Sequence, residues 1–559
     1  MNNYPWLAQY PAAVPQEIDP EAYPSLVEFL DDCVRKYGDK VAFENMGAEL
    51  TFNELGAMST AFANYLIQDK NLEKGDRIAL QMPNVMQYPV ALFGILKAGM
   101  VVVNTNPQYK PSEMEHQFAD AGAKGIIILN TFGYKLEEIL NKTPIKTIII
   151  AEVGDMLGSL KGALVDFMIK RVRKMVPEYN LPQAIDFQEA MKIGRKHNYK
   201  KPAIKITDLA LLQYTGGTTG VAKGAALSHR NLIANIEQVA AWMKPQLKEG
   251  EEVTITALPL YHVFALTVNL FGMLKIGAKS ILITDPRKMD DFIKVLKSHP
   301  FSVITGVNTL FNGLVQRAEF QKVDFSKLKI AVAGGMALQL AVADKWKSIT
   351  GNEIVEGYGL SETSPLLTCN PIDGNHKLGT IGLPVPSTEI KIMDDNDQEQ
   401  SVGEFGEIWA RGPQVMMGYW QNQEETDIVM EGDWFKTGDV AYFDSDGFIK
   451  IVDRKKEMIN VSGMKVFPNE VEDVIAQMPG VLEVGVIGVE HKSSGEVVKA
   501  FVVKQDPNLK ADDIMKHCRD HLVAYKMPKF IEFREELPKS NVGKILRKDL
   551  RKEEIANAV

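Results

Sequence analysis

Apolar positions along the first 450 residues follow two rhythms. Short β-branched runs bounded by turn residues, RIALQM (77–82), MVVVNTN (100–106), GIIILN (125–130), TIIIAE (147–152) and SILIT (280–284), predict strands. Between them lie stretches with helical spacing, such as TFNELGAMSTAFANYLI (51–67) and the segment that ends at Lys97. Strands alternating with helices predict parallel α/β layers. Val90–Val103 and Val253–Gly277 are the most apolar segments. Lys97 interrupts the first, and Pro259, His262 and Lys275 interrupt the second, so both are expected in the core rather than in a membrane.

The rhythm changes near Gly403. GEFGEIWARG and GDWFKTGDVAYFDSDGFIKIVDRKK combine glycines, alternating β residues and a tight Asp-Ser-Asp-Gly turn, which predicts a small antiparallel unit. Beyond it, NEVEDVIAQM (469–478) reads as a helix, VLEVGVIGV (481–489) and VVKAFVVK (497–504) as strands, and a further helix and a basic tail follow. The expected organisation is a large N-terminal domain of layered α/β subdomains plus the β unit, residues 1–452. A small α+β C-terminal domain, residues 453–559, follows, with a boundary near 453–456.

Length and composition narrow the class. A chain of 559 residues exceeds one simple core. Net charge of −9 and a pI near 5.7 deny the basic field that broad nucleic-acid binding needs. Three cysteines give no disulfide framework and suit a reducing, cytoplasmic setting. The first twenty residues lack a basic start and an apolar core, so no signal peptide is expected.

Candidate chemistry begins at YTGGTTGVAKG (214–224). Glycines let a backbone turn its N–H groups toward an anion, threonines add hydroxyl donors, and Lys223 adds a compact positive charge. The end is not that of a Walker loop, because Ala222 precedes Lys223 and Gly224 follows it. By pattern alone it is a Gly/Thr loop between a strand (LALLQ, 209–213) and a helix (HRNLIANIEQVAAW, 229–242). AVAGGMAL (331–338), IVEGYGLSETSPL (354–366), WFKTGDV (434–440), VDRKKEMINVSG (452–463) and LPKSNVGKILR (537–547) follow downstream.

In that order the motifs resemble the adenylate-forming ligase superfamily, which includes acyl-CoA synthetases, beetle luciferase and peptide-synthetase adenylation domains. Within it the chain is most similar to bacterial long-chain fatty-acid–CoA ligases, above all over GFIKIVDRKKEMINVSGMKVFPNEVEDVI (447–475). Many relatives carry proline where Ala222 stands, a change of stiffness rather than of phosphate donors. The resemblance implies two half-reactions: a carboxylate attacks the α-phosphate of ATP and releases pyrophosphate, then the coenzyme A thiol displaces AMP.

The resemblance also implies roles. Thr215, Gly216, Gly217, Thr218, Thr219, Gly220 and Lys223 would hold phosphates. Thr215 and Glu362 would hold Mg²⁺, a hard ion suited to oxygen ligands. Gly334, Gly335, Gly357, Tyr358, Gly359 and Ser361 would surround adenine, with Tyr358 stacked on it. Asp439 would accept from both ribose hydroxyls, joined by Arg454. Lys544 would meet the substrate carboxylate and the α-phosphate during adenylation only. Lys456 would be the hinge on which the C-terminal domain turns, bringing Ser462 and Gly463 to coenzyme A. His262 would face the acyl carboxylate, with Val263, Phe264 and Gly306 along an alkyl tunnel. Burial at about 0.8 kcal/mol per methylene would let such a tunnel favour long chains.

Alternatives share the fold: a ligase for a medium-chain or aromatic acid, one loading an acyl carrier protein, or an acyl-binding protein without turnover. The insertion typical of carrier-loading relatives is not found here. Lys544 would be idle in a binding protein. A homodimer is compatible with the family. His517 and His521 have zinc-compatible spacing but no companion ligands, and are expected on an ordinary helix. MLGSLKGALVDFMIKRVRKMV (156–176) is basic and amphipathic. Leu157, Leu160, Leu164, Met168 and Met175 would contact the inner membrane surface peripherally, with Lys170, Arg171, Arg173 and Lys174 on anionic headgroups.

Overall fold

The computed structural model describes residues 4–70, 72–215, 222–491, 494–539 and 545–558. Its β-branched runs pair as parallel strands. In one seven-stranded sheet the order is 185–186, 147–151, 123–129, 77–81, 101–104, 209–215 and 223–228, and only the last strand is antiparallel. Thr147–Ala151 is buried at every position, as expected for a strand covered on both faces. A nine-stranded sheet is parallel through its middle, from Val41–Asn45 through Lys279–Leu282, Val253–Thr256, Val303–Gly306 and Ile330–Gly334 to Ile354–Gly359. Its edges are antiparallel.

Helices cover both sheets. Phe52–Asn64 begins at a reciprocal cap between Thr51 and Glu54, which satisfies two orphan donors of its first turn. Gln87–Lys97 is buried along its whole length. Lys97 is tolerated because its ammonium reaches the Thr60 hydroxyl at 3.0 Å and Asp31 at 3.3 Å. Lys275 in the second apolar segment is likewise paired, with Glu237 at 2.6 Å. Among the described residues, no helix is long and apolar enough to cross a membrane.

The glycine-rich region forms the small antiparallel sheet, with Trp434–Phe443 between Gly406–Arg411 and Ile449–Arg454. The DSDG turn closes as its composition predicts: the Asp444 carboxylate accepts from the N–H groups of Asp446 and Phe448, and Gly447 takes φ +85°. A fourth sheet starts at Ile459, runs through Val481–His491, Gly495–Lys504 and Phe530–Arg534, and packs against helices Pro468–Ala476, Ala511–His521 and Arg547–Ala558.

Three findings amend the sequence reading. Between the glycine/threonine loop and the helix expected from His229 lies a further strand: Lys223–Ser228 returns antiparallel at the sheet edge, Thr215 opposite Lys223, and the helix starts at His229 as expected. The small residues of KGAALS make the return possible: a Cβ on Gly224 would stand 3.1 Å from the Tyr214 ring. The basic tail is tied into the fold: Arg547 is enclosed by Asp453, Asn469 and Glu472, and Arg551 pairs with Glu457 at 2.5 Å. In the amphipathic stretch, Leu157 turns inward, whereas Leu160 is 89% exposed and Leu164, Phe167, Met168, Val172 and Met175 are exposed. The helix Ser159–Phe167 is held by its opposite side, through Gly162 against Gly154 and the Asp166 carboxylate on the Gly154 N–H at 2.9 Å. His517 and His521 lie on a helix, on the carbonyls of Val474 and His517.

Candidate active site

The carboxyl ends of the parallel strands, the small sheet and the C-terminal module face one cavity of about 2090 Å³. Open α/β sheets place ligand sites at such strand ends. Thr215, Lys223, His262, Val263, Phe264, Gly334, Gly335, Gly357, Tyr358, Gly359, Ser361, Glu362, Asp439, Arg454 and Lys456 all line it. These residues are up to 241 positions apart in the chain, and the fold brings them to one cavity.

Asp439 is more enclosed than Glu362, the other carboxylate among these residues. Strand pairing sets it directly opposite Arg454, whose Nε lies 3.1 Å from Oδ1, and the Tyr358 hydroxyl donates to Oδ2 at 2.6 Å. Burial and the Asp439 charge push the Tyr358 phenol well above its usual range, so it stays a neutral donor. An ionised carboxylate offers about four lone-pair sites, so capacity remains for diol hydroxyls. Gly357 stands opposite Gly334 on the neighbouring strand, and a Cβ on Gly334 would meet the Phe264 ring at 3.0 Å and the Gly357 carbonyl at 3.1 Å. Gly335 has φ +78°, a region that glycine enters without a steric cost. A Cβ on Gly359 would lie 1.9 Å from the Pro365 carbonyl, so this glycine serves the fold of its own loop.

Glu362 is buried, its carboxylate accepting from the Tyr419 hydroxyl at 2.8 Å and its carbonyl from the Met416 N–H at 2.8 Å. Lys223 forms an ion pair with Glu425 and holds its ammonium 5.0 Å from the centre of the Tyr419 ring. Residues 416–420 are stitched alongside the returning strand: Ala226 N–H to the Gly418 carbonyl at 2.9 Å, Met417 N–H to the Ala226 carbonyl at 2.9 Å, and Trp420 N–H to the Gly224 carbonyl at 2.7 Å. That register carries Tyr419 and Glu425 to the cavity. His116 joins from the other side, its Nε2 3.0 Å from the Ala222 carbonyl. Nothing local in the sequence marks Tyr419, Glu425 or His116, because their partners lie 57, 202 and 106 residues away.

His262 sits half-buried at the cavity wall, and burial pulls its pKa down to about 4, so the ring is neutral near pH 7. Its Nδ1 accepts from the Phe264 N–H at 3.3 Å, which leaves the proton on Nε2. Past Phe264 the wall is apolar, with Val239, Val268, Val332 and Leu366. Gly306 does not line the cavity: a Cβ there would meet the Phe311 ring at 2.9 Å, and Val307 and Asn308 form that wall instead. Ser462 and Gly463 are also outside it. They make the positive-φ turn between strands 459–461 and 464–466, whereas Lys465 and Phe467 reach the cavity. Gly216, Gly217, Thr218, Thr219, Gly220 and Lys544 lie outside the described residues. Lys539 and Ile545–Lys548, which flank Lys544, line the cavity.

Burial lowers the Lys456 pKa, and the nearby Arg454 and Lys223 charges act in the same direction. Lys456 lines the same cavity as Lys223, Arg454 and Asp439.

Comparison with known proteins finds similar sequences and similar folds. A family model described as AMP-binding enzyme matches residues 30–420, and the AMP-binding enzyme C-terminal domain matches 470–544. A long-chain-fatty-acid–CoA ligase of Yersinia pestis is 53% identical over 550 residues, covering 98% of each chain. The protein of that description from Haemophilus influenzae is 49% identical, covering 99% of this chain and 98% of its own. Among solved structures, an anthranilate CoA ligase in complex with anthranoyl-AMP superposes with a TM-score of 0.86 at 25% identity, over 97% of this chain and 100% of that one. A benzoate CoA ligase from Burkholderia xenovorans gives 0.80 at 25% identity, over 94% and 99%.

Proposed function

The chain belongs to the AMP-binding enzyme family, and from that premise we infer that it is a long-chain fatty-acid–CoA ligase. It activates its acid with ATP to an acyl-adenylate, releasing pyrophosphate, and transfers the acyl group to coenzyme A, releasing AMP. The observation that carries the nucleotide half is the hydrogen-bonded set Tyr358–Asp439–Arg454, built on the buried Asp439, in the same cavity as Lys223 and Glu362.

In this reading Asp439 accepts from the ribose hydroxyls while Arg454 and Tyr358 hold it in place. Tyr358 presents its ring to adenine, and Gly334, Gly335 and Gly357 let the base approach the backbone. Lys223 neutralises the terminal phosphates, and positioning of this kind supplies most of what phosphoryl chemistry needs. The His262 Nε2–H is free to donate to an oxygen of the substrate carboxylate and orient it. Lys544 places its charge between that carboxylate and the α-phosphate. Glu362 and the Thr215 hydroxyl are hard oxygen donors, and the Tyr419 phenol leaves the Glu362 carboxylate with unused lone pairs, so the pair fits Mg²⁺. That ion supplies charge neutralisation on the phosphate oxygens.

The second half requires the C-terminal module, residues 453–559, to turn about 453–456. Lys456 is the pivot, and the turn carries Lys544 away and brings the 461–468 segment with Ser462 and Gly463 toward coenzyme A. Val263 and Phe264 begin the acyl channel, and the apolar wall beyond them supports a long alkyl chain. The outward face of Leu160, Leu164 and Phe167, next to Lys170, Arg171, Arg173 and Lys174, supports peripheral contact with the cytoplasmic face of an anionic membrane. A homodimer is compatible with the reading.

The test is thioester formation and pyrophosphate release by purified protein with ATP, Mg²⁺ and coenzyme A, comparing acetate, octanoate, palmitate, oleate and coumarate. Palmitate and oleate are expected to dominate. Dominance of coumarate or octanoate would move the acid specificity. Pyrophosphate release without thioester would move the acceptor to a carrier protein.

A further inference from the structure

Glu425 has no part in the two half-reactions as described, yet it holds the cation assigned to the terminal phosphates. Its carboxylate pairs with the Lys223 ammonium while the Tyr419 ring lies 5.0 Å from that ammonium and the Tyr419 hydroxyl donates to Glu362. Among the described residues, Glu425 is the carboxylate paired with Lys223. Its place is fixed: the Asn422 side chain accepts from the Glu425 N–H at 3.1 Å, the Thr426 hydroxyl accepts from the Tyr419 N–H at 2.9 Å, and residues 417–420 are bonded to the returning strand. Both partners are partly exposed, 29% for the Lys223 side chain and 37% for Glu425, so the pair is open to exchange.

We propose that Glu425 is an internal counter-ion that trades Lys223 with the β- and γ-phosphates of ATP. It takes the ammonium when those phosphates are absent and yields it when they bind. It is thus a positioning residue that acts through Lys223, and the inference rests on the reading of Lys223 given above. Two consequences follow from charge alone. A fixed carboxylate beside the triphosphate opposes both ATP and pyrophosphate, because it competes for one cation and repels like charge. Recapture of Lys223 by Glu425 also favours departure of pyrophosphate once the adenylate has formed, which helps to make the first half-reaction directional. AMP, which lacks the β- and γ-phosphates, is indifferent to Glu425.

The experiment is titration calorimetry of the full chain, without fatty acid, using ATP, pyrophosphate and AMP against wild type, E425Q, E425D and K223A. E425Q removes the charge and keeps the shape. An exposed ion pair has a modest worth, so E425Q is expected to bind ATP and pyrophosphate about threefold to fivefold more tightly, with AMP unchanged. E425D is expected to stay within about twofold of wild type. Pyrophosphate should become a correspondingly stronger product inhibitor of E425Q. Weaker or unchanged ATP and pyrophosphate binding in E425Q would overturn the proposal, as would an equal shift for AMP, which would indicate a general change of the site. K223A separates the two levels of inference. If it leaves ATP and pyrophosphate affinity unchanged, the assignment of Lys223 fails. If it weakens both while E425Q does not tighten them, only the role of Glu425 fails.

Discussion

Arg547 joins the C-terminal helix to the chain boundary, and its removal has a calculable effect. The guanidinium forks onto Glu472, with Nε 3.0 Å from Oε1 and Nη2 2.7 Å from Oε2, and reaches Asp453 at 3.1 Å. The side chains are 14% exposed for Arg547, 1% for Asp453 and 19% for Glu472. R547M keeps much of the volume and leaves two enclosed carboxylates without their cation. Breaking a buried pair in this way costs about 3–5 kcal/mol. The lower end applies here, about 3 kcal/mol, because Asp453 keeps the N–H groups of Arg454 and Asn469, and Glu472 keeps that of Val486. R547K should recover only part of the loss, since an ammonium cannot reproduce the two-pronged contact. The penalty also has a sign with pH. Burial already raises the Glu472 pKa, with Arg547 opposing. Without Arg547 the folded carboxyl takes up a proton more readily, and a raised folded pKa contributes stability that is lost as pH rises. R547M should therefore be destabilised less at pH 5 than at pH 8. Urea unfolding followed in parallel with the two half-reactions is the assay. ATP–pyrophosphate exchange should fall more than thiolysis of supplied palmitoyl-adenylate, because Arg547 anchors the segment three residues beyond Lys544. A loss below about 0.5 kcal/mol at pH 8, or equal damage to both half-reactions, would refute this reasoning.

Other outcomes follow from individual groups. K544A should abolish most acyl-adenylate formation while thioester formation from supplied adenylate survives, measured by separate half-reaction assays. D439N should raise the apparent Kd for ATP and AMP alike, by about tenfold or more, since it removes a hydrogen-bonded charge shared with Arg454. His229 is buried with its pKa pulled down to about 4, and its Nδ1 accepts from the Leu26 N–H at 3.2 Å. The unfolded chain binds that proton first, so the His229 contribution is complete above about pH 6.5 and declines as pH falls toward 4. H229N keeps an acceptor and should flatten that part of a stability–pH curve. L160E/L164E should reduce sedimentation with anionic liposomes without changing activity on soluble acid.

What the sequence reveals, and what it hides, follows the range of each interaction. Thr147–Ala151 is legible because a strand buried on both faces is apolar throughout, and the Asp444–Gly447 turn because its residues bond each other. KGAALS carries no such signal, since its small residues suit an edge strand only once Tyr214 and Gly224 are side by side. The motif residues Tyr358, Asp439 and Arg454 are recognisable by resemblance, but their mutual contacts depend on strand register. Arg547 reads as one of many tail cations until Asp453 and Glu472 surround it. Tyr419 and Glu425 are ordinary in sequence and become distinctive only against Glu362 and Lys223.

If one cavity makes an acyl-adenylate and then hands it to coenzyme A, the intermediate can be caught between the two halves. The most direct measurement incubates the protein with palmitate, ATP and Mg²⁺ without coenzyme A, detects enzyme-bound palmitoyl-adenylate by mass spectrometry, and then adds coenzyme A. One adenylate per active site is expected, formed with stoichiometric pyrophosphate and converted to palmitoyl-CoA and AMP on addition. Palmitoyl-CoA formed with ADP and phosphate as products, or an adenylate that coenzyme A fails to discharge, would contradict it.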